Sequence, residues 1–562
     1  MTAILECVPN FSEGRNPDRI RQITARIEAV SGAHLLHVDS GHATHRTVVT
    51  FAGSPAAVVE AAYQAIAAAA ELIDMRQHTG THPRMGATDV CPLVPISGIT
   101  LAEAAEWSRR LAERVGRELG IPVYLYEAAQ SDPARRNLAV IRAGEYEGLA
   151  EKMKRPEWRP DFGPAEFQPE CGATVIGARG FLVAYNVNLN TTSTRRANAV
   201  AFDVREAGRP RREGHPLTGK LVTDAAGQPV MDPGTLKAVK AIGWYIPEYG
   251  VAQVSMNLTD LTVTPVHTAF DEVCRRADAR GLRVTGSELV GLIPLSALLD
   301  AGRHYLRRQQ RSLGVGEAEL IKIAVKSLGL EELAPFKPAE RIIEYRLRAA
   351  GARPLGGMSL IAFADETASE SPAPGGGSIA AYVGALGAAL GTMVANLSAH
   401  KRGWDDRWEE FSRWAEAGQA LKDRLLRLVD EDTRAFNRVL EAMALPKGTA
   451  EEKAARKAAL AAANRGAIEV PLEVLRAAAE AFPLLRAMAE LGNPASASDA
   501  GVGALALRAA MRGAWLNVRI NLPGLGDQAA GAALLAEADG LVARAEADEA
   551  AVLALVEAQL KR

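Results

Sequence analysis

The first third of the chain alternates short apolar runs with amphipathic stretches, the pattern of layered α/β structure. ILECV (4–8), LLHVD (35–39), RTVVTFAG (46–53) and TDVCPLVPI (88–96) read as strands, while 17–30 and the Ala-rich 55–76 carry helical spacing. The order is βαββαβ. After a polar, Pro-containing span near 152–171 the same order returns. It comprises FLVAYNVNL (181–189), a helix near 193–206, LKAVKAIGWYI (236–246), VAQVSMNLTDL (251–261), a helix at 267–280 and LRVTGSELVGLI (282–293). Two ferredoxin-like α/β units are predicted, over 1–181 and 182–346. Residues 208–235, rich in Arg, Gly, Pro and Asp, read as an inserted surface hairpin.

Strand signals then stop. A small, flexible segment at 347–355 leads into an Ala-, Leu-, Glu- and Arg-rich stretch with helical periodicity. The span 356–562 is therefore predicted as an all-helical domain, broken near Pro446, Pro471, Pro483, Pro494 and Pro523. A multidomain chain agrees with the length of 562 residues, which exceeds one ordinary core. Residues 379–397 carry no charge and approach membrane-spanning length, yet are mostly Ala and Gly. Steps such as Gly387 to Gly391 suit close helix packing, so no membrane span is expected. A Gly/Ala face of that kind needs a close partner, and a homo-oligomer, at least a dimer, is predicted.

Charge removes one class of partner. Lys+Arg 65 against Asp+Glu 67 offers no polycation to a phosphate backbone, and no nucleic acid is expected. The cysteines, Cys7, Cys91, Cys171 and Cys274, form no CxxC pair, and MTAILECVPN has neither a basic n-region nor an apolar h-region. Reduced thiols and a cytoplasmic enzyme are expected.

The stretch HTGTHPRMGATDV (78–90) concentrates candidate chemistry. His78 and His82 stand at i and i+4, a zinc spacing when both share a helical face. Gly80 between them and Pro83 after them oppose a helix, and no glutamate lies inside the motif. Metal binding, a structural loop histidine and acid/base work remain open; no metal is expected. A histidine moves protons near neutral pH when a neighbour orients it, and Asp39 and Asp89 at strand ends are candidates. The turn VPNFSEGRN adds Asn10, Ser12, Glu13 and Arg15, with turn chemistry or an ordinary cap as the alternative for each.

VPNFSEG, HVDSGHATHRT, HTGTHPRMGATDVCP, AIRAGEYEGL, PDFGP, CGATVIGARGFLVAYNVNL and GWYIPE resemble the glutamate formimidoyltransferase family over about 1–346. The resemblance implies transfer of a formimidoyl group from N-formimidoyl-L-glutamate to N5 of tetrahydrofolate, a substrate. By position it makes His82 the catalytic histidine. It also makes Gly163-Pro164-Ala165-Glu166-Phe167-Gln168-Pro169-Glu170-Cys171-Gly172 the folate-binding stretch. The chain departs from the animal-type pattern at 208–235 and at His45. One base that becomes an acid serves both proton transfers of the reaction. Arg46 and Arg84 are candidate holders of substrate carboxylates, with a plain salt bridge as the alternative for each.

In the helical part, SESPAPGGGSIAAYVGALGAAL places Gly376 and Ser378 in a turn whose N–H groups suit an anion. With GNPASASDAGVGA (492–504) and LNVRINLPGL (516–525), it resembles the cyclodeaminase/cyclohydrolase family over about 356–562. Together the halves resemble the bifunctional formimidoyltransferase-cyclodeaminase family. This implies closure of 5-formimidoyltetrahydrofolate to 5,10-methenyltetrahydrofolate with loss of ammonia, in histidine breakdown. An acid must assist that loss. In LRLVDEDTRAFNRVL helical register lines Asp432 up with Leu425, Leu428, Phe436 and Val439. It lines Asp430 up with Asp423, Arg427, Arg434 and Asn437 on a solvated stripe. A carboxyl facing an apolar interior keeps its proton, and the family's catalytic aspartate also matches Asp432. The alternative is a transferase whose helical part serves only assembly.

Overall fold

The computed structural model describes residues 3–42, 45–80, 83–214, 219–350, 355–371 and 373–561, apart from the side chains of 348–350. The chain divides into two compact units. One is Met1–Leu298 with Leu328–Gly351, and the other is Leu299–Ser327 with Ala352–Arg562.

The first unit opens with β1 (Ile4–Cys7), β2 (Asn10–Phe11), α1 (Pro17–Glu28), β3 (Ala33–Gly41), β4 (Arg46–Gly53), α2 (Pro55–Leu72) and β5 (Thr88–Ser97). The Asn16 side chain caps α1 by accepting the N–H groups of Asp18 and Arg19, and Ile20, Ile23 and Ile27 form its buried stripe. Antiparallel pairing gives the order β3-β4-β1-β5, with β2 wedged between β4 and β5. The helix expected to reach residue 76 stops at Leu72. Asp74 caps a separate 3-10 turn over Met75–Gln77.

The sheet then extends beyond the expected units. After α3 (Leu101–Glu118), β6 (Val123–Glu127), α4 (Leu138–Arg142) and α5 (Glu145–Met153) comes β7 (Thr174–Ala178), which pairs in parallel with both β5 and β6. The result is a seven-stranded sheet. VYLYE and TVIGA are buried on both faces, so they show no alternation for a period-two reading to find.

A second sheet follows from β8 (Val183–Leu189) and α6 (Thr194–Val204). The insertion contributes β9 (Arg209–Pro210) paired with β12 (Met231–Asp232), and β10 (Arg212–Glu213) paired with β11 (Lys220–Leu221). β13 (Val239–Ile246), β14 (Val251–Leu258), α7 (Val266–Asp278) and β15 (Val284–Val290) complete an antiparallel sheet of order β13-β14-β8-β15. The helices α8 (Leu295–Arg308), α9 (Glu317–Leu328), α10 (Pro338–Arg341) and α11 (Ile343–Ala350) follow.

The second unit is helical: α12 (Leu360–Thr367), α13 (Gly376–Ala399), α14 (Trp408–Ala444), α15 (Ala450–Leu491), α16 (Ala497–Asn521) and α17 (Gln528–Leu560). Residues 299–327 join it. The Leu313 N–H donates to Ser412 Oγ at 3.0 Å, and the Asn396 amide donates to the Gly314 carbonyl at 2.9 Å. Pro471 and Pro483 were expected to break the chain, but both lie inside the single helix α15. Each removes a helical hydrogen bond at a cost of about 3 kcal/mol. Burial of Ile468, Leu472, Leu475, Phe482 and Leu485 beside them offsets that cost.

The helix α13 is long and apolar enough to cross a membrane, but 61% of its apolar window is buried within the chain. Its small-residue face finds its partners there too. A Cβ on Gly384 would meet Leu425 and Ala510, one on Gly387 would meet Leu507 and the Gly503 carbonyl, and one on Gly391 would meet Leu484. The Gly/Ala face therefore needs no second copy, which corrects the reason for expecting a dimer. Leu386, Met393 and Leu397 remain exposed on the same helix.

Candidate active sites

The loop after α2 is tied down by its own side chains. His78 is buried, and its Nδ1 accepts from the Nε–H of Arg84 at 3.2 Å. A guanidinium has only hydrogens to offer. The ring hydrogen of His78 therefore sits on Nε2, which donates to the His45 carbonyl at 2.9 Å. Burial pulls the His78 pKa below its ordinary value; the hydrogen bond to the His45 carbonyl opposes this, and the charges of His45 and Arg84 reinforce it. The ring stacks on that of His45 at 4.2 Å and 13°. His45, with φ at +50°, donates through Nδ1 to the Thr79 carbonyl at 2.9 Å and turns Nε2 toward Glu13 Oε1 at 3.2 Å. Burial alone would raise the pKa of Glu13. The N–H groups of Arg15 and Asn16, with Arg19 and His45, more than reverse this and hold it low.

Arg84 is buried as well. It grips Glu147 with both terminal nitrogens, at 2.6 and 2.9 Å, reaches Glu145 at 3.3 Å, and donates to the His78 carbonyl at 3.3 Å. A cavity of about 470 Å³ opens beside it, lined by Thr79, Gly80, Arg84, Gly144, Glu145 and Glu147. Thr81 and His82 lie outside the described residues. Both ring nitrogens of His78 are engaged by protein groups, so this ring has no lone pair for a metal. Among the described residues no group of three or more His, Cys, Asp or Glu is placed to hold one.

The remaining predicted residues sort around this cluster. Ser12, buried, donates to the Gly86 carbonyl at 2.7 Å and so ties its turn to the loop before β5, and the Asn10 amide donates locally to Val8 O at 3.0 Å. Asp39 is exposed on β3 opposite Val48, and the carboxylate among the histidines is Glu13 instead. Asp89 is buried in an ion pair with Arg142 of α4. Arg46 is half-buried in the field of Asp89, Arg142 and Asp39, and burial lowers its pKa. Arg84 takes the salt-bridge alternative, its fork filled by Glu147.

The stretch 163–172 docks on the same loop. Gly163 and Gly172 adopt positive φ, and a Cβ on Gly172 would lie 2.2 Å from the Met85 carbonyl. The Ala87 N–H donates to the Cys171 carbonyl at 2.8 Å. Phe167 packs on Tyr146, whose hydroxyl donates to the Pro169 carbonyl at 2.5 Å. Arg76 pairs with Glu170 at 2.9 Å.

In the helical unit Ser378, at the start of α13, meets Asp432 of α14. Its hydroxyl lies 3.0 Å from both Asp432 Oδ2 and the Val429 carbonyl, and 3.3 Å from Thr433 Oγ1. A Cβ on Gly377 would stand 2.1 Å from Asp432 Oδ1, so only glycine lets the carboxyl approach this backbone. Burial raises the Asp432 pKa, partly opposed by the hydroxyl and N–H of Ser378. Gly376 abuts the Asn517 amide of α16. One expectation is corrected. Asp430 is not on a solvated stripe but buried, accepting from the N–H groups of Leu355 and Gly356 at 3.1 and 3.4 Å. Phe436, expected inside, is exposed. The buried face of α14 is rotated toward Asp430, and Asp432 sits half-buried at its edge.

Known proteins match the chain over its whole length. Residues 4–179 match the N-terminal subdomain of the formiminotransferase domain, 184–348 the formiminotransferase domain, and 359–540 formiminotransferase-cyclodeaminase. The formimidoyltransferase-cyclodeaminase of Sus scrofa is 44% identical over 560 residues, covering 100% of both chains. The chain belongs to the formimidoyltransferase-cyclodeaminase family. Two further relatives of this formimidoyltransferase-cyclodeaminase family member match part of the chain each. Glutamate formimidoyltransferase of Streptococcus pyogenes serotype M1 is 40% identical and covers 55% of this chain and 94% of its own. Methenyltetrahydrofolate cyclohydrolase of Methylorubrum extorquens is 41% identical over 34% of this chain and 92% of its own.

Sequence reasoning missed His78 as a hydrogen-bonded partner of Arg84, and did not single out Glu145, Glu147, Thr433 or Asn517. The glutamates lie within AIRAGEYEGL and Asn517 within LNVRINLPGL, so the signal was present as motif without a partner.

Proposed function

We propose that the protein transfers the formimidoyl group of N-formimidoyl-L-glutamate to N5 of tetrahydrofolate. It then closes 5-formimidoyltetrahydrofolate to 5,10-methenyltetrahydrofolate, releasing ammonia, in histidine degradation. The observation that carries this reading is the 44% identity to a formimidoyltransferase-cyclodeaminase over the full length of both chains, supported by relatives named as a glutamate formimidoyltransferase and a methenyltetrahydrofolate cyclohydrolase, each covered over nine-tenths of its length. A purely structural helical part is thereby disfavoured.

In the transfer, N5 attacks the amidine carbon, and His82 takes the N5 proton and returns it to the departing glutamate nitrogen. The docking of 163–172 on residues 85–87 supports a folate site beside that loop. Arg46 is our candidate for a substrate carboxylate, supported by its half-buried place between Asp39 and Asp89. In the closure, N10 attacks the carbon of the protonated formimidoyl group, neutral Asp432 protonates the resulting amine so that it leaves as ammonia, and the carboxylate recovers the N10 proton. Ser378 suits an acid that exists in both forms. Its hydroxyl donates to the carboxylate, or accepts from the neutral acid while passing its own hydrogen to the Val429 carbonyl.

We further read both sheets as ferredoxin-like, the first enlarged by β6 and β7. The working divisions are a transferase over 1–181 and 182–346, a linker at 347–355 and a cyclodeaminase over 356–562. A cytoplasmic homo-oligomer, using the exposed Leu386, Met393 and Leu397, completes the proposal. Mixing N-formimidoyl-L-glutamate with tetrahydrofolate and following methenyl absorbance and ammonia tests the function. Glutamate release without either product would leave only the transferase.

A further inference from the structure

Residues 78 and 84 flank the segment to which His82 belongs in sequence, and the Arg84 side chain joins the two directly. Arg84 reaches back with two nitrogens, Nε to His78 Nδ1 at 3.2 Å and Nη2 to the His78 carbonyl at 3.3 Å. Neither residue floats. His78 is anchored to the His45 carbonyl at 2.9 Å, and Arg84 is held from the other side by both oxygens of Glu147. Inside the loop, Thr79 accepts from His45 Nδ1 at 2.9 Å. Three separate parts of the chain thus converge on the ends of one short segment: the His45 turn before β4, the loop itself and the start of α5.

We propose that His78 and Arg84 form a positioning clasp for formimidoyl transfer, fixing the separation and direction of the two ends of the His82 loop. The proposal rests on the reading of His82 as the base. Its chemistry depends on the neutral Nε2–H tautomer. One ring nitrogen must accept from an arginine while the other donates to a carbonyl, and no other protonation state does both. Such a clasp touches no substrate. It acts through His82, because a reacting group misplaced by about 1 Å can cost roughly 10²-fold in rate.

The test uses the full chain and four variants, with cyclisation of supplied 5-formimidoyltetrahydrofolate and far-UV circular dichroism as checks of folding. His78→Ala is expected to lower kcat for transfer roughly 10²-fold while both KM values stay within about twofold. His78→Asn retains an acceptor near the place of Nδ1 and should recover about tenfold of that loss. Arg84→Lys keeps the charge without the fork and should resemble His78→Ala. His82→Ala, run alongside, separates the two ideas. If it keeps its transfer rate, the assignment of the base fails. If it loses transfer while folded His78→Ala stays within about threefold of wild type, the clasp is overturned. A loss confined to KM, or no recovery in His78→Asn, also overturns it. Should His78→Ala fail to fold, the kcat of His78→Asn against that of Arg84→Lys decides: equal values overturn the clasp.

Discussion

The two candidate sites are built by opposite means. In the first unit the histidine loop depends on a chain of polar contacts, Glu13 to His45, His45 to Thr79 and His78, His78 to Arg84, and Arg84 to Glu147. In the helical unit Asp432 has one side-chain hydroxyl at hydrogen-bond distance and owes its place to α13 and α14 packing closely at Gly377. A loop has no ladder to hold it and must be tied by side chains, whereas a residue inside packed helices inherits its position from the core. The first site should therefore fail through lost hydrogen bonds, and the second through added volume.

The largest effects should separate the units cleanly. His82→Ala should abolish transfer and leave cyclisation near normal. Asp432→Asn should lower cyclisation by roughly 10²- to 10⁴-fold and let 5-formimidoyltetrahydrofolate accumulate while glutamate release continues. Loss of both activities in either folded variant would break the comparison. Next comes volume. Gly377→Ala places a methyl in the space of Asp432 Oδ1, and cyclisation should fall roughly 10- to 10²-fold with transfer intact. An unchanged cyclisation rate would show that Asp432 does not act from this position.

A smaller effect sharpens the acid assignment through pH. Burial raises the Asp432 pKa, so the neutral acid persists to higher pH than an ordinary aspartate and cyclisation should decline as that group ionises. Ser378 favours the ionised form, so Ser378→Ala should move this alkaline limb upward in pH. A downward move in the pH–rate profile would reverse the assigned hydrogen bond.

The smallest effect asks whether a raised carboxyl pKa is enough to make an acid catalyst. Glu6, buried in β1, has its pKa raised by burial to about 8, which Arg179 opposes and Glu344 reinforces. It lies in no site described above. Its folded pKa exceeds the unfolded one, so stability is highest when both states are protonated and falls as pH rises from about 4.5 to about 8. Glu6→Gln should remove that slope, stabilise by on the order of 1–3 kcal/mol at neutral pH and leave both activities unchanged. Urea denaturation from pH 5 to pH 9 checks this, and a changed rate of either reaction would give Glu6 a role that its position does not suggest.

Legibility differed between the units for physical reasons. In the first unit, β4 alternates between buried and partly open positions, whereas β1 and β5, buried along most of their length, were legible as apolar runs. Alternation missed the joining of β6 and β7, which are buried on both faces. Asp39 was expected near the histidine because neighbouring strand ends often converge. The structure sets Glu13, in the turn after β2, beside His45, a pairing that no local signal announced. In the helical unit, Asp432 was identified correctly as an acid with a raised pKa, but through a register that misplaced Asp430 and Phe436. An ideal helical stripe is defined around one axis, while α14 contacts several neighbours at once and so buries a wider face.

By itself the sequence determined much of the order of elements, the division into α/β and helical parts, and the family. These depend on local periodicity and on motifs whose residues are contiguous. Tertiary structure decided which histidine and arginine pair, which carboxylate joins them, that Pro471 and Pro483 stay within one helix, and that the glycines of α13 serve its own bundle. Each of these depends on atoms distant in sequence, whose meeting is set by the summed packing of whole elements rather than by any local preference.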